Sequence, residues 1–278
     1  MTPNPVTAHS EMSLDDAMAV FDRHSFRHLP VTHEGKLVGM LSDRDVRLAT
    51  GWLTIEQRRQ GKRSEVSPSF VGEVMRAPAL SIMPETPAKE VVDRMLELKV
   101  GAFPVKECEE VVGVVTATNL IQAFCDLALN DKWEDLNPPI ARYMSPQVIT
   151  LSLDDYLDHA IAKCHDEQVR HLPVVESGEV IGIVSDRDIR LAMGQEIVSA
   201  HRSQDAGTMA LHRTSVKKFM TPWVSAIDKK APLSTAGEAM MVNRFSALPV
   251  SSARKLVGII TQSDILEHFA RIHSYDEV

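Results

Sequence analysis

One internal distance constrains this chain more than any other feature of its sequence. A proline in a short apolar stretch is followed nine residues later by a glycine, and the arrangement occurs four times. The pairs are Pro30 with Gly39, Pro104 with Gly113, Pro173 with Gly182, and Pro249 with Gly258. A fixed distance that recurs in this way indicates internal repeats. The sequence therefore predicts four copies of one small structural unit.

The four units also form a larger pattern. The first resembles the third at a sequence offset of 143 (173−30), and the second resembles the fourth at an offset of 145 (249−104). A unit of about 60 residues buries too little surface to be comfortably stable alone. We therefore expect the units to pair within each half of the chain, with the exposed faces of two sheets packed together.

Each unit has the pattern of a short strand, a helix, a β-hairpin and a second helix. In the first unit Ser13 is a capping residue, and apolar residues follow it at helical spacing. Two apolar runs, 26–31 and 37–41, then flank a turn at 34–36. In the second unit Pro87 indicates the start of the helix. The predicted fold class is α+β, with a sandwich-like packing of helices and sheets.

The third unit differs in length from the first. Ser152 precedes Leu-Asp-Asp as Ser13 does, but its separation from Pro173 is 21 (173−152), whereas the separation of Ser13 from Pro30 is 17 (30−13). The difference of four is about one helical turn, so the sequence predicts a helix that begins at Ser152 and is one turn longer. The predicted domains are 1–64, 65–129, a linker at 130–142, 143–208 and 209–278.

Composition argues against several classes of protein. No run of 18 apolar residues occurs, so we expect no membrane span, and the stretch from Met1 to Met12 does not read as a secretory signal. Three widely spaced cysteines favour reduced thiols in a cytoplasmic protein. A net charge of −8 argues against a general nucleic-acid coat, although Arg58–Arg63 could form a local basic edge.

No motif of a known catalytic or metal centre is present. The chain lacks G-x-S-x-G, a P-loop and G-x-G-x-x-G followed by an acidic residue, so we expect no enzyme. His24 and His28 have the spacing of a helical metal pair, but nothing completes their ligand set, and we predict no metal site.

The repeated motif resembles that of a known family. Leu-Pro-Val, a glycine nine residues after the proline, two aliphatic residues and Ser/Thr-x-x-Asp together look like the CBS domain, named after cystathionine β-synthase. The resemblance covers nearly the whole chain in four copies. It implies a β-α-β-β-α fold, two repeats paired as a Bateman module, two such modules in one chain, and clefts that bind adenosine-containing ligands. The modules would form a flat disc within one chain or across a homodimer.

In that family the aspartate of the motif binds ribose and the residue three positions earlier assists. Three copies match: Ser42 with Asp45, Ser185 with Asp188, and Thr261 with Asp264. In the second copy, Thr116 is followed by Asn119. A carboxylate suits a ribose because it can accept hydrogen bonds from both vicinal hydroxyls, whereas asparagine is a weaker acceptor. The alternative is that these residues only cap the helix that follows.

Basic residues occur at the motif in the first and third units only. Resemblance to the family implies that those before Leu-Pro contact phosphate groups. Arg44 and Arg187 lie instead between two aspartates after the hairpin. The candidates to neutralise a phosphate chain are Arg27, His28, Arg44, Arg170, His171 and Arg187. The alternative is that the arginines form surface ion pairs with Asp43, Asp45, Asp186 and Asp188, which are common and weak.

These observations predict a regulatory protein that carries no cofactor of its own and binds AMP, ADP or ATP. Binding would change the angle between paired repeats, and a partner protein would respond to that change. Two alternatives stay open: a sensor of S-adenosylmethionine, and an accessory protein that binds nucleic acid through Arg58–Arg63.

Overall fold

The computed structural model describes residues 1–24, 26–50, 68–130, 136–193, 214–222 and 226–272. The basic stretch Arg58–Arg63 and residues 131–135 of the predicted linker lie outside the described residues. The chain divides into two compact units, 1–120 and 121–278.

The first unit contains two repeats of the predicted β-α-β-β-α order. Its elements are β1 (Thr2–Pro3), β2 (Ala8–His9), α1 (Leu14–His24), β3 (His28–His33), β4 (Lys36–Ser42), α2 (Asp43–Ala49), α3 (Ala88–Leu98), β5 (Ala102–Glu107), β6 (Glu110–Thr116) and the start of α4 (Ala117–Asn130). Two three-stranded sheets form, in the orders β2-β3-β4 and β1-β6-β5. In the second repeat the opening strand is reduced to one parallel bridge between Ile82 and Val105.

The second unit continues α4 and repeats the same order twice. Its elements are β7 (Leu151–Ser152), α5 (Leu157–Asp166), β8 (His171–Glu176), β9 (Glu179–Ser185), α6 (described over 186–193), β10 (Thr221–Pro222), β11 (Ile227–Asp228), α7 (Leu233–Asn243), β12 (Ala247–Ser252), β13 (Lys255–Thr261) and α8 (Gln262–Ile272). One sheet has the order β11-β12-β13-β9-β8-β7, and β10 pairs with β9. The predicted α+β fold is confirmed.

Each hairpin places its repeat proline and glycine in neighbouring positions. In the first repeat Pro30 pairs with Met40, and Val31 pairs with Gly39 beside a β-bulge. The apolar face of α1 packs on this hairpin through Leu14, Ala17, Met18 and Phe21, all of them buried as their helical spacing predicts. Removal of this apolar surface from water provides the main stabilising free energy of each repeat.

The repeats of each unit exchange short segments. We call four stretches the opening segments: 1–3, 75–78, 144–146 and 220–222. Each lies on the sheet of the other repeat in its unit. Thr2 pairs with Val114 in β6, for example, while Arg76 and Met40 in β4 exchange two backbone hydrogen bonds of 2.9 and 3.0 Å. A single repeat therefore lacks part of its own sheet, which gives a second reason why repeats occur in pairs.

The same exchange explains the repeated glycine. A Cβ atom added to Gly39 would lie 2.5 Å from Met75 Sδ and 3.0 Å from the carbonyl oxygen of Arg76. Equivalent methionines, each from an opening segment, lie over Gly113, Gly182 and Gly258. The glycine is thus required because the partner repeat's backbone and methionine approach closely.

The prediction for the start of the third helix is wrong. Ser152 ends strand β7, and α5 begins further along the chain, at Leu157. The separation of Leu157 from Pro173 is 16 (173−157), which equals the separation of Leu14 from Pro30 (30−14). The additional residues therefore lie before the helix, and α5 has no additional turn. Among the described residues, none of the helices has the length and apolar character needed to span a bilayer.

Candidate ligand site at the hairpin ends

A reciprocal hydrogen-bonded pair closes each hairpin and starts the next helix. In the first repeat the backbone N–H of Ser42 donates to Asp45 Oδ2 at 3.1 Å, and the N–H of Asp45 donates to Ser42 Oγ at 3.2 Å. The Ser42 hydroxyl donates to the same carboxylate oxygen. In the third repeat Ser185 and Asp188 make the same three bonds, at 2.8, 3.3 and 2.6 Å. These are capping boxes.

The fourth repeat carries a close variant. The backbone N–H and the hydroxyl of Thr261 both donate to Asp264 Oδ2 at 2.7 Å. Burial raises the pKa of Asp264, and the hydrogen bonds from Thr261 oppose that increase only in part. The surroundings of the Asp264 carboxylate therefore oppose its ionisation.

In the second repeat the amide of Asn119 replaces the carboxylate. Asn119 Oδ1 accepts from the N–H and the hydroxyl of Thr116 at 3.0 and 2.9 Å. A backbone N–H can only donate, so the amide oxygen must face it and the amide nitrogen must occupy the other position. The second repeat therefore has an N–H₂ donor where the other repeats have a second carboxylate oxygen.

The capping interpretation is therefore confirmed for the first three pairs, in which the hydroxyl accepts from the N–H three residues on. In the fourth pair Asp264 accepts both bonds from Thr261. Ribose binding stays a prediction. The two roles are compatible because the caps use a single oxygen of each carboxylate. The hydrogen bonds that Ser185 and Thr261 donate to Asp188 and Asp264 all end on Oδ2. The second oxygen of each aspartate keeps its capacity to accept a hydrogen bond from a ligand.

His28 lies beside this site, and its ring is largely buried. Its ring contacts Gly101: a Cβ atom at that glycine would lie 3.2 Å from His28 Cε1. Burial, assisted by the charges of Arg27 and Arg76 and opposed by Asp45, lowers the pKa of His28 from 6.5 to about 4. This lowered pKa favours the neutral imidazole at pH 7, and contact of His28 with a phosphate group stays a prediction. Its neutral ring can still form a hydrogen bond.

Arg76 is a site residue that the sequence did not reveal. Its guanidinium Nη2 lies 3.6 Å from Asp45 Oδ1, the oxygen that the capping box leaves available. The opening segment of the second repeat brings Arg76 onto β4 of the first repeat. Nothing in the local periodicity of this segment indicates that it lies on the sheet of the other repeat.

The other predicted arginines are exposed. Arg27 immediately precedes β3 and Arg44 lies in the first turn of α2, and Arg170 and Arg187 have the same places in the third repeat. Their contact with a ligand stays a prediction.

The aspartates beside these arginines have ion-pair partners one helical turn further along. Asp43 accepts from Arg47 Nε at 2.7 Å, and Asp186 accepts from Arg190 Nε at 2.7 Å. Arg47 also approaches Asp22 at 3.4 Å, so it is engaged within the fold.

The two predicted histidines have different surroundings. His171 Nε2 lies 2.9 Å from the hydroxyl of Ser246, which immediately precedes β12 in the fourth repeat. The spacing of His24 and His28 does not produce a helical metal pair. Helix α1 ends at His24, and His28 begins β3, so His24 and His28 do not share a helix. His24 stacks on Phe26 instead.

The fold and the site together define a class: a protein of four β-α-β-β-α repeats, exchanged in pairs, with a polar pair capping a helix at each hairpin end. A family model described as the CBS domain matches residues 1–50, 71–126, 140–195 and 216–271. These stretches cover well over half of the chain and coincide with the four repeats. The chain belongs to the CBS domain family.

Relatives of similar length share this organisation. Protein MJ1225 from Methanocaldococcus jannaschii is 23% identical over 273 residues, covering 95% of each chain. Its crystal structure, described as that of a proposed archaeal homologue of g-AMPK, has a TM-score of 0.72 over 97% of each chain. A conserved protein from Pyrococcus horikoshii has a TM-score of 0.63 at 20% identity, also over 97% of each chain. These similarities establish the four-repeat fold.

Proposed function

We propose that this protein is a non-enzymatic sensor that binds adenine nucleotides at the hairpin ends of its repeats. The observation that carries the proposal is the state of the three aspartates. Each is fixed in place by hydrogen bonds to Oδ2 and keeps an oxygen that can accept from a sugar hydroxyl. A carboxylate that the fold has already oriented loses little conformational entropy when it binds a diol.

The surroundings of Asp45 favour a nucleotide over a neutral nucleoside. Arg27 and Arg76 both lie near enough to His28 to lower its pKa, so the three side chains and Asp45 form one cluster. A guanidinium binds phosphate oxygens through two parallel hydrogen bonds. AMP, ADP and ATP supply both the diol and the phosphate that this cluster can bind.

A ligand at Asp45 would contact two repeats at once. Asp45 belongs to the first repeat, whereas Arg76 comes from the opening segment of the second. A ligand that binds both residues has a different affinity for each relative position of the two repeats, and this is the requirement for a conformational signal. A regulated partner protein, or a second copy of the chain, would respond to that signal. The expected location is the cytoplasm.

The test is isothermal titration calorimetry with AMP, ADP and ATP. Asp45→Asn and Asp188→Asn are the informative variants, because Asn119 shows that asparagine preserves the cap. Loss of a charge-assisted acceptor should weaken binding by about 10- to 100-fold at the altered site. Asp166→Asn, on the exposed end of α5, is the matched control and should leave binding unchanged. No saturable heat for any of the three nucleotides below millimolar concentration would refute the proposal.

A further inference from the structure

We infer that Arg76 makes the Asp45 site selective for phosphate-bearing ligands, and that the Asp188 site lacks this selection. The inference depends on the proposed nucleotide-binding function and adds a residue that sets ligand preference. It follows from one difference between two sites that are otherwise equivalent.

The position of Arg76 is fixed by the fold. Its backbone forms two hydrogen bonds with Met40, and the neighbouring Met75 lies over Gly39. These contacts hold the backbone of Arg76 against β4. The side chain stays 64% exposed, while that of Asp45 is only 13% exposed. Arg76 thus places an exposed cation, on a fixed backbone, next to a largely buried anion.

Arg76 covers the carboxylate oxygen that a ribose needs. Ser42 donates to Oδ2 of Asp45 twice, so Oδ1 is the acceptor that remains, and the guanidinium lies 3.6 Å from it. A neutral nucleoside must displace this cation and offers nothing in return. A nucleotide offers its phosphate as a new partner for the displaced guanidinium, which binds phosphate at least as well as carboxylate. The Arg76–Asp45 ion pair therefore opposes binding of a neutral nucleoside. When a nucleotide binds, a contact between Arg76 and the phosphate replaces that ion pair.

The second half of the chain has no such cation at the equivalent position. Thr221 corresponds to Arg76 at the sequence offset of 145 (221−76), and it pairs with Ile183 in β9 as Arg76 pairs with Met40 in β4. A threonine hydroxyl carries no charge and cannot neutralise Asp188. The Asp188 site should therefore accept an adenosine ligand without phosphate more readily than the Asp45 site does.

Each site is measured alone in a background that disables the others. Asp188→Asn with Asp264→Asn isolates the Asp45 site, and Asp45→Asn with Asp264→Asn isolates the Asp188 site. Adenosine and AMP are titrated by calorimetry in each background. We expect the ratio of AMP affinity to adenosine affinity to be higher at the Asp45 site.

Reciprocal substitutions then test Arg76 directly. Arg76→Thr in the first background should weaken AMP binding at least 10-fold and leave adenosine binding equal or up to about 5-fold tighter, because an exposed ion pair is weak. Thr221→Arg in the second background should raise the AMP preference. Positions 76 and 221 are equivalent, and each variant introduces the residue that the other position carries, so both variants should fold. Lys36→Thr, at the opposite end of β4 from Ser42, controls for loss of one positive charge.

The outcomes separate the two proposals. One outcome is that adenosine and AMP both bind, that Asp45→Asn removes the binding, and that neither Arg76→Thr nor Thr221→Arg changes the ratio of their affinities. Nucleotide binding then stands and the selectivity inference is wrong. If neither ligand binds in either background or in the parent protein, both proposals fall together. A ratio that changes equally with Lys36→Thr also overturns the inference, because it would assign the effect to net charge.

Discussion

The hydroxyl of Ser246 lies 2.9 Å from His171 Nε2, and the two residues belong to different repeats of the second unit. In the first unit the equivalent residues are Gly101 and His28, at offsets of 145 (246−101) and 143 (171−28). Gly101 has no side chain to offer, and the ring of His28 lies directly against it. The same pair of positions is thus a polar contact in one unit and a nonpolar one in the other.

The first prediction concerns the stability of the protein in mild acid. The pKa of His28 falls from 6.5 to about 4 in the folded state, so folding disfavours the protonated ring. His28 therefore contributes its full stability above pH 6.5 and loses it as the pH falls towards 4. At about 1.4 kcal/mol for each pKa unit, the loss is at most about 3 kcal/mol.

The measurement is the free energy of unfolding in urea at a series of pH values between 7.5 and 4. Between pH 7.5 and pH 4 the free energy of unfolding of the parent should fall by up to about 3 kcal/mol more than that of His28→Gln. The control is His24→Gln, which alters an exposed histidine at the end of α1. Parallel curves for the parent and His28→Gln would show that the ring titrates in the folded protein as it does in the unfolded chain.

The second prediction concerns the methionines that lie over the repeated glycines. A Cβ atom at Gly258 would lie 2.6 Å from Met144 Sδ and 3.0 Å from a backbone oxygen, so the closest conflict is with a flexible side chain. At Gly182 the closest conflict is the carbonyl oxygen of Thr221, at 2.8 Å. Alanine at either glycine should cost about 1–3 kcal/mol, as overpacking does.

The two glycines should differ in a double-mutant cycle. Met144→Ala should relieve part of the cost of Gly258→Ala, with a coupling energy of about 1 kcal/mol. Met220→Ala should relieve little of the cost of Gly182→Ala, because a backbone oxygen cannot move away independently. Urea unfolding of the single and double variants gives both coupling energies. Equal coupling in the two cycles would mean that the backbone contact does not determine the cost.

Much of the fold could be predicted because it repeats. The spacing of Pro30 and Gly39 reflects a hairpin register in which Val31 pairs with Gly39, and a register is a local property that the sequence records. The start of α5 is wrongly predicted because Ser152-Leu-Asp-Asp resembles a helix start, whereas the packing position of Leu157 decides where the helix begins. Local capping signals are weaker than burial of the first apolar residue.

The site could be predicted only as far as its residues are local. Ser42 and Asp45 are three residues apart and their capping box follows from that spacing. The approach of Arg76 depends on a strand exchange between repeats, and a segment that pairs through so few residues has no periodicity to reveal it. The lowered pKa of His28 depends mainly on burial, which is equally non-local, as the contact of its ring with Gly101 illustrates.

The third prediction concerns Asp264, whose pKa is raised by burial. The folded protein therefore holds the Asp264 proton more tightly than the unfolded chain, and the parent loses stability as the pH rises above 3.8, the ordinary value. Asp264→Asn removes the charge and keeps an oxygen for the two bonds from Thr261, as Asn119 does for Thr116.

Asp264→Asn should therefore be at least as stable as the parent at pH 7, and its advantage should shrink below pH 4. Asp264→Ala, which loses the cap as well, should be less stable than Asp264→Asn by about 1 kcal/mol. Urea unfolding at pH 7 and at pH 3.5 measures both differences. A clear destabilisation by Asp264→Asn at pH 7 would show that ionised Asp264 makes a favourable interaction in the folded state.

The fourth prediction restores a ligand site in the second repeat. Asn119 uses its amide oxygen for the cap, so only an N–H₂ donor remains for a ligand. Asn119→Asp keeps the cap and replaces that donor with a carboxylate oxygen, the group that the Asp45, Asp188 and Asp264 repeats have in this position. We expect the number of nucleotides bound per chain to rise by one in calorimetry with AMP.

The control for added charge is Asn243→Asp, at the exposed end of α7, which should leave the stoichiometry unchanged. Thermal unfolding of Asn119→Asp should match that of the parent, because the bonds from Thr116 are retained with either oxygen-bearing side chain. A folded Asn119→Asp protein with unchanged stoichiometry would mean that the acceptor at this position does not limit occupancy. The shape of the second repeat would then have to exclude the ligand, since its cap chemistry would equal that of the first.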